Sequence, residues 1–185
     1  ERIVPLARRN SAALVVGTID EDRVQGMALT VERKLAVARR EHELLTGKYG
    51  LHPTDLIFDP LVFPCASGDV NYKGSARETI HGVRAIKQHL PGVKTLLGVS
   101  NVSFGLPPAG REVLNSVFLH ECVEAGLDVA IVNSEKLVRY AQIPDDEREA
   151  ALDLLYDRGE DPIARFTALF REERRRETDD ALAKT

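Results

Sequence analysis

Apolar residues arrive in short runs that end on a polar side chain, and each run is followed by a longer stretch of helical period. Ile3, Val4 and Leu6, set among Arg2, Arg8 and Arg9, read as the last turns of an amphipathic helix, so further sequence is expected ahead of it. Ala12-Ala13-Leu14-Val15-Val16-Gly17-Thr18-Ile19-Asp20 is an apolar, β-branched run with a polar end, the pattern of a strand buried on both faces. Thr30 is placed to cap a helix reaching to Thr46, in which Val31, Leu35, Val37 and Ala38 alternate with Glu32, Arg33, Lys34, Arg39 and Arg40; Gly47 or Gly50 can close it.

The unit then recurs. Asp55-Leu56-Ile57-Phe58-Asp59-Pro60 is a strand ending in an acid, and a helix from Ser75 to Leu90 stops at Pro91-Gly92. Thr95 to Asn101 reads as a third strand, followed by a helix from Arg111 to Ala125, and Val129 to Asn133 as a fourth. The closing residues Asp20, Asp59, Asn101 and Asn133 recur at intervals of roughly 30 to 40 residues, a strand-plus-helix period without hairpin signals. Four βα units fit an open doubly wound sheet or half of a (β/α)8 barrel of roughly 250 residues. No glycine-rich dinucleotide fingerprint follows any strand, and polar residues close all four, as on the catalytic rim of a barrel, so the TIM-type α/β barrel is favoured. From Pro144-Asp145-Asp146-Glu147 onward the sequence turns charged and helical. The expected division is a half-barrel over 1–143 and C-terminal helices over 144–185, whose run Glu172-Glu173-Arg174-Arg175-Arg176-Glu177 reads as a solvated face.

Composition narrows the function classes. With 25 Lys plus Arg against 29 Asp plus Glu, the net charge of −4 gives no basic field for a nucleic-acid backbone. No apolar run is long enough to span a membrane. Cys65 and Cys122, lacking C-x-x-C spacing, read as structural thiols and suit a reducing cytoplasm. His42, His52, His81, His89 and His120 show no ligand spacing at a strand end, so no metal site is expected.

Asp59 before Pro60 is the sharpest local feature. A carboxylate there can accept two parallel hydrogen bonds from adjacent N–H donors on a planar ring such as an amino-pyrimidinone, or it can simply cap its loop. In Gly98-Val99-Ser100-Asn101-Val102-Ser103-Phe104-Gly105, the glycines permit close approach and Asn101 offers both an amide donor and an acceptor; a tight turn is the alternative. Arg111 could meet an anionic tail or be solvated, and Asn133 could line a pocket or cap the next turn.

Together, the Asp55–Pro60, Gly98–Gly105 and Ala125–Asn133 segments, with the helix Arg111–Ala125, resemble the pterin-binding module of cobalamin-dependent methionine synthases over residues 1 to 160. More distantly they are similar to dihydropteroate synthases and to methyltetrahydrofolate:corrinoid methyltransferases. The resemblance implies strands five to eight of the barrel, with the N-terminal half of the barrel as a partner, and a 5-methyltetrahydrofolate substrate whose N5 methyl passes to cob(I)alamin in methionine biosynthesis. It implies Asp59 as the acceptor for pterin N3–H and the 2-amino group, and Asn101 as the catalytic amide hydrogen-bonded to N5. Gly98 and Ser100 would form the floor, Asn133 a pterin-side wall, and Arg111 a contact to the glutamate tail. It implies a cobalamin held by another module, toward which the last residues lead. Two other readings stay open: a non-catalytic barrel fragment, and a dihydropteroate synthase-like enzyme. The latter expects a basic residue near the third strand end, where this chain has Ser100, Asn101 and Val102.

Overall fold

The computed structural model describes residues 3–21 and 26–170. The charge run at 172–177 lies outside the described residues. Helix α1 (Ile3–Arg9) precedes strand β1 (Leu14–Gly17), and then helix and strand alternate: α2 (Val31–Glu43), β2 (Leu56–Asp59), α3 (Ser75–His89), β3 (Lys94–Gly98), α4 (Pro108–Glu124), β4 (Val129–Ile131) and α5 (Asp145–Tyr156). Residues 162–170 are again helical.

The four strands are parallel and lie in chain order, with Val15 opposite Ile57, Phe58 opposite Thr95, and Leu97 opposite Ala130. A doubly wound sheet reverses its strand order at a switch point. This sheet does not reverse, and α2 packs on α3 and α3 on α4, so the helices share one face. Four consecutive units of a barrel wall meet both conditions.

The pleat sorts the strand residues accordingly. Leu56, Phe58, Thr95 and Leu97 point into the helices and are fully buried. The opposite face carries Val15, Ile57, Leu96, Val129 and Ile131, which in a closed barrel would fill the interior; here Val15 is 55% and Ile131 63% exposed. Two cores lie under the helices. One joins β1 and β2 to α2 and α3 through Ala38, Leu56, Phe58 and Ile86. The other joins α3, α4, α5 and residues 162–170 through Val83, Leu114, Phe118, Leu155 and Phe166. The C-terminal helices thus share the core of the barrel wall.

Element ends differ from the expected ones for local reasons. Strand β1 is shorter than the apolar run because the Ile19 N–H turns back to the Gly17 carbonyl at 2.8 Å. Thr30 caps α2 by accepting from the Arg33 N–H, as expected; beyond Glu43 the helix widens over Leu44–Lys48, and Gly50, with φ of 63°, closes it. Strand β3 ends at Gly98, so Ser100 and Asn101 stand not on a strand but in a 3-10 turn, Val99–Ser103, which buries Val99, Val102 and Ser103. Helix α4 starts earlier than Arg111, at Pro108, where proline at the first turn loses no hydrogen bond. No helix among the described residues is long and apolar enough to cross a membrane.

Candidate functional site

The carboxyl ends of β1, β2 and β3 form the rim on which catalytic groups of βα barrels are carried. Asp59 is the last residue of β2, paired with Gly17 of β1 and therefore on the open face of the sheet. Its backbone carbonyl accepts the Thr18 N–H at 2.9 Å, and its Oδ1 accepts the Leu61 N–H at 2.8 Å. Burial pushes the Asp59 carboxyl above its ordinary value, against the opposing pull of the Leu61 N–H and the Lys34 charge. No second hydrogen bond to the carboxylate is made among the described residues, which leaves it acceptor capacity for a ligand.

The positive group behind it was not legible as such in the sequence. Lys34 of α2 is fully buried, its Nζ donating to the carbonyls of Ala28 at 3.0 Å, Pro60 at 2.5 Å and Leu61 at 3.3 Å, and lying 5.0 Å from the centre of the Phe63 ring. Burial brings its pKa down to about 7, with Asp59 and Glu78 pulling the other way. The signal existed: Lys34 heads the buried stripe Lys34, Val37, Ala38 of α2, and a lysine in that stripe has to find acceptors. At the neighbouring rim position, Asp20 is 8% exposed and forms a two-point ion pair with Arg33, Nε to Oδ2 at 2.8 Å and Nη2 to Oδ1 at 2.5 Å.

The asparagine turn follows β3. Asn101 is exposed and its amide lies over Gly98, where a Cβ would come 3.8 Å from Asn101 Nδ2. The Asn101 carbonyl accepts the Phe104 N–H, and the Ser100 carbonyl accepts both Ser103 Oγ at 3.2 Å and Arg111 Nη2 at 3.4 Å. Arg111 Nε also donates to Ser103 Oγ at 3.2 Å, so this guanidinium braces the turn that carries Asn101. Asn133 caps the turn Ser134–Lys136, its Oδ1 accepting the Glu135 N–H at 3.2 Å.

Ser100, Arg111 and Asn133 nonetheless line one cavity, about 330 Å³, with Asn115 and Lys136. Gly98 and Asn101 are not among its lining residues but flank Ser100 in the chain, and Asp59 ends the strand beside β3. The sequence candidates thus gather on one rim: an acceptor at Asp59, an exposed amide at Asn101, and a polar cavity lined by Arg111, Lys136 and the Glu112 carboxylate that pairs with Lys136 at 3.9 Å. The thiols play no part in it. Both are buried; Cys65 is raised to about 12 by burial, and burial together with the Glu121 charge raises Cys122.

The chain has relatives among known proteins. A family model described as pterin binding enzyme matches residues 1–133. The chain is 45% identical over 173 residues to methionine synthase of Mycobacterium leprae and 43% identical over 172 residues to that of Mycobacterium tuberculosis. These matches cover 92% and 91% of this chain, which spans 14% of the length of each relative.

Proposed function

This chain belongs to the pterin-binding enzyme family, and on that premise we propose that it is the folate half-site of a methionine synthase, binding 5-methyltetrahydrofolate for methyl transfer to cob(I)alamin. The observation that carries the proposal is the half-buried Asp59 carboxylate at a strand end, with one N–H accepted from Leu61 and capacity for more. A pterin offers N3–H and a 2-amino group side by side, donors that a carboxylate accepts in parallel. Such bonds fix the ring against the rim.

The chemical difficulty is the leaving group. When the N5–CH3 bond breaks, its electron pair stays on N5, and an unprotonated amide anion is a very poor leaving group. N5 therefore gains a proton at or before the transition state. Asn101 favours that protonated form through its amide, a stabilisation that grows along the reaction coordinate. An amide positions here and does not donate the proton. Gly98 gives the pterin a floor without a side chain, Ser100 contributes its backbone, and Asn133 walls the cavity. Arg111, with two donors committed to the asparagine turn, presents the rest of its charge to the glutamate tail.

Cobalamin supplies the nucleophile that takes the methyl group. No described residue is assigned to hold the cobalamin. A separate cobalamin module is assigned that role, and the C-terminal helices lead toward it. The apolar face with Val15, Val129 and Ile131 is assigned to the remaining strands of the barrel.

The test is calorimetric titration of 5-methyltetrahydrofolate into the full polypeptide that carries this chain, wild type beside Asp59→Asn. Loss of one hydrogen bond to a charged acceptor costs about 1.5–3 kcal/mol, so the variant should bind about tenfold to a hundredfold more weakly. A folded wild-type protein that fails to bind would overturn the proposal.

A further inference from the structure

Leu61, two residues beyond Asp59, has a φ of 63°, a left-handed conformation that a bulky side chain rarely adopts. An outlier of this kind persists only where its surroundings hold it. Two groups hold it here. Thr79 Oγ1 of α3 donates to the Leu61 carbonyl at 2.9 Å, and Lys34 Nζ of α2 donates to the same carbonyl at 3.3 Å and to that of Pro60 at 2.5 Å. The Pro60 carbonyl that Lys34 holds shares its peptide plane with the Leu61 N–H, and that N–H donates to Asp59 Oδ1 at 2.8 Å.

An ammonium has three donors, and Lys34 has three carbonyl acceptors within reach, two from the loop after β2 and one, Ala28, from the loop after β1. The lysine thus ties two rim loops to one point. The sequence makes room for it: Gly82 of α3 leaves bare backbone against the lysine stem. Asp59 and Glu78 are the carboxylates whose charge it feels, and Glu78 is itself engaged by the Val31 N–H at 2.9 Å.

We propose that Lys34 is a positioning residue for the Asp59 carboxylate: it holds the Pro60–Leu61 peptide whose N–H orients Asp59 toward the pterin, and with Thr79 it anchors the left-handed Leu61 that follows. The inference rests on the reading of Asp59 as the pterin acceptor. It adds a buried cation that touches no substrate yet sets how well the carboxylate is aimed.

The experiment measures 5-methyltetrahydrofolate affinity and melting temperature in the full polypeptide for wild type, Asp59→Asn, Lys34→Met, Thr79→Val, and Lys34→Met combined in turn with Leu61→Gly and with Asp59→Asn. Lys34→Met is expected to bind tenfold more weakly or worse, and Thr79→Val about threefold more weakly. Glycine adopts the left-handed conformation without help. Adding Leu61→Gly to Lys34→Met should therefore recover most of the lost affinity, which a merely structural loss would not. Adding Asp59→Asn to Lys34→Met should cost nothing further beyond Asp59→Asn alone. A folded Lys34→Met that binds within twofold of wild type overturns the inference, as does a double variant in which the two losses multiply. Should Lys34→Met fail to fold, Thr79→Val decides, and wild-type affinity there overturns it. Wild type that does not bind at all removes the reading of Asp59 instead, so the two failures are distinct.

Discussion

Gly82 of α3 faces the Lys34 stem so closely that a Cβ at that position would lie 2.8 Å from Lys34 Cδ. The lysine cannot step aside, because its Nζ is anchored on three carbonyls and its whole side chain is buried. Gly82→Ala should therefore lower stability by about 1–3 kcal/mol, the usual cost of an inserted methyl in a packed interior, despite the better helix propensity of alanine. Urea unfolding of the two proteins checks it; an alanine variant as stable as wild type would show that the lysine has room.

The same lysine predicts an alkaline gain in stability. Its pKa falls from 10.5 in the unfolded chain to about 7 in the folded one, mainly through burial. Between those values the unfolded state carries the extra proton, so stability rises with pH, by up to about 1.4 kcal/mol per pH unit, and below pH 7 the contribution is flat. The difference in unfolding free energy between wild type and Lys34→Met, measured from pH 6 to pH 9, should shift in favour of wild type above neutrality. A difference that does not change with pH would contradict the shift.

At the opposite end of the strands, Asp128 Oδ2 accepts the Thr95 N–H at 2.8 Å and Lys87 Nζ at 2.9 Å. Burial works against ionisation of Asp128, but these bonds outweigh it and hold the carboxyl below the ordinary range. Its contribution is present above pH 4 and lost as acid protonates it. Asp128→Asn should cost about 1–3 kcal/mol at neutral pH and leave folate affinity unchanged, since barrel chemistry sits at the other rim. A variant that unfolds as wild type does, or that loses folate binding, would place the residue differently.

Arg111 offers a sharper division of labour. Its guanidinium spans Ser103 Oγ and the Ser100 carbonyl, a reach that lysine cannot copy with one ammonium. Arg111→Lys should weaken binding of a tail-less reduced pterin about threefold, through a looser asparagine turn. Arg111→Met should weaken 5-methyltetrahydrofolate further than it weakens the tail-less pterin, through loss of charge at the glutamate. Equal losses for the two ligands would confine Arg111 to bracing the turn.

The parts of this fold that were legible in the sequence are those written in side-chain period. The runs around Val15, Ile57, Leu96 and Ala130 became parallel strands, and the polar residues closing them marked the rim. The period does not say where a strand bends, so Asn101 reads as strand although Gly98 has already turned the chain into a 3-10 segment. Asn133 matches a pocket residue and a turn cap equally well by pattern; its bond to the Glu135 N–H shows the cap, and its place in the cavity wall shows that the two are compatible. Lys34 was hidden by its company, since a lysine beside Arg33 and among Glu32, Arg39 and Arg40 looks solvated until its three-dimensional acceptors are known. Leu61 carried no signal at all, because left-handed backbone is announced by glycine or asparagine and not by leucine.

Because strand order follows chain order, every pairing in the sheet joins neighbours separated by a single helix. Closing such a loop costs little more entropy for the last strand than for the first. The sheet can therefore grow one strand and helix at a time, as stacked repeats do, with each helix sealing its own side before the next strand arrives. Synthesis from the amino end delivers the units in that same order.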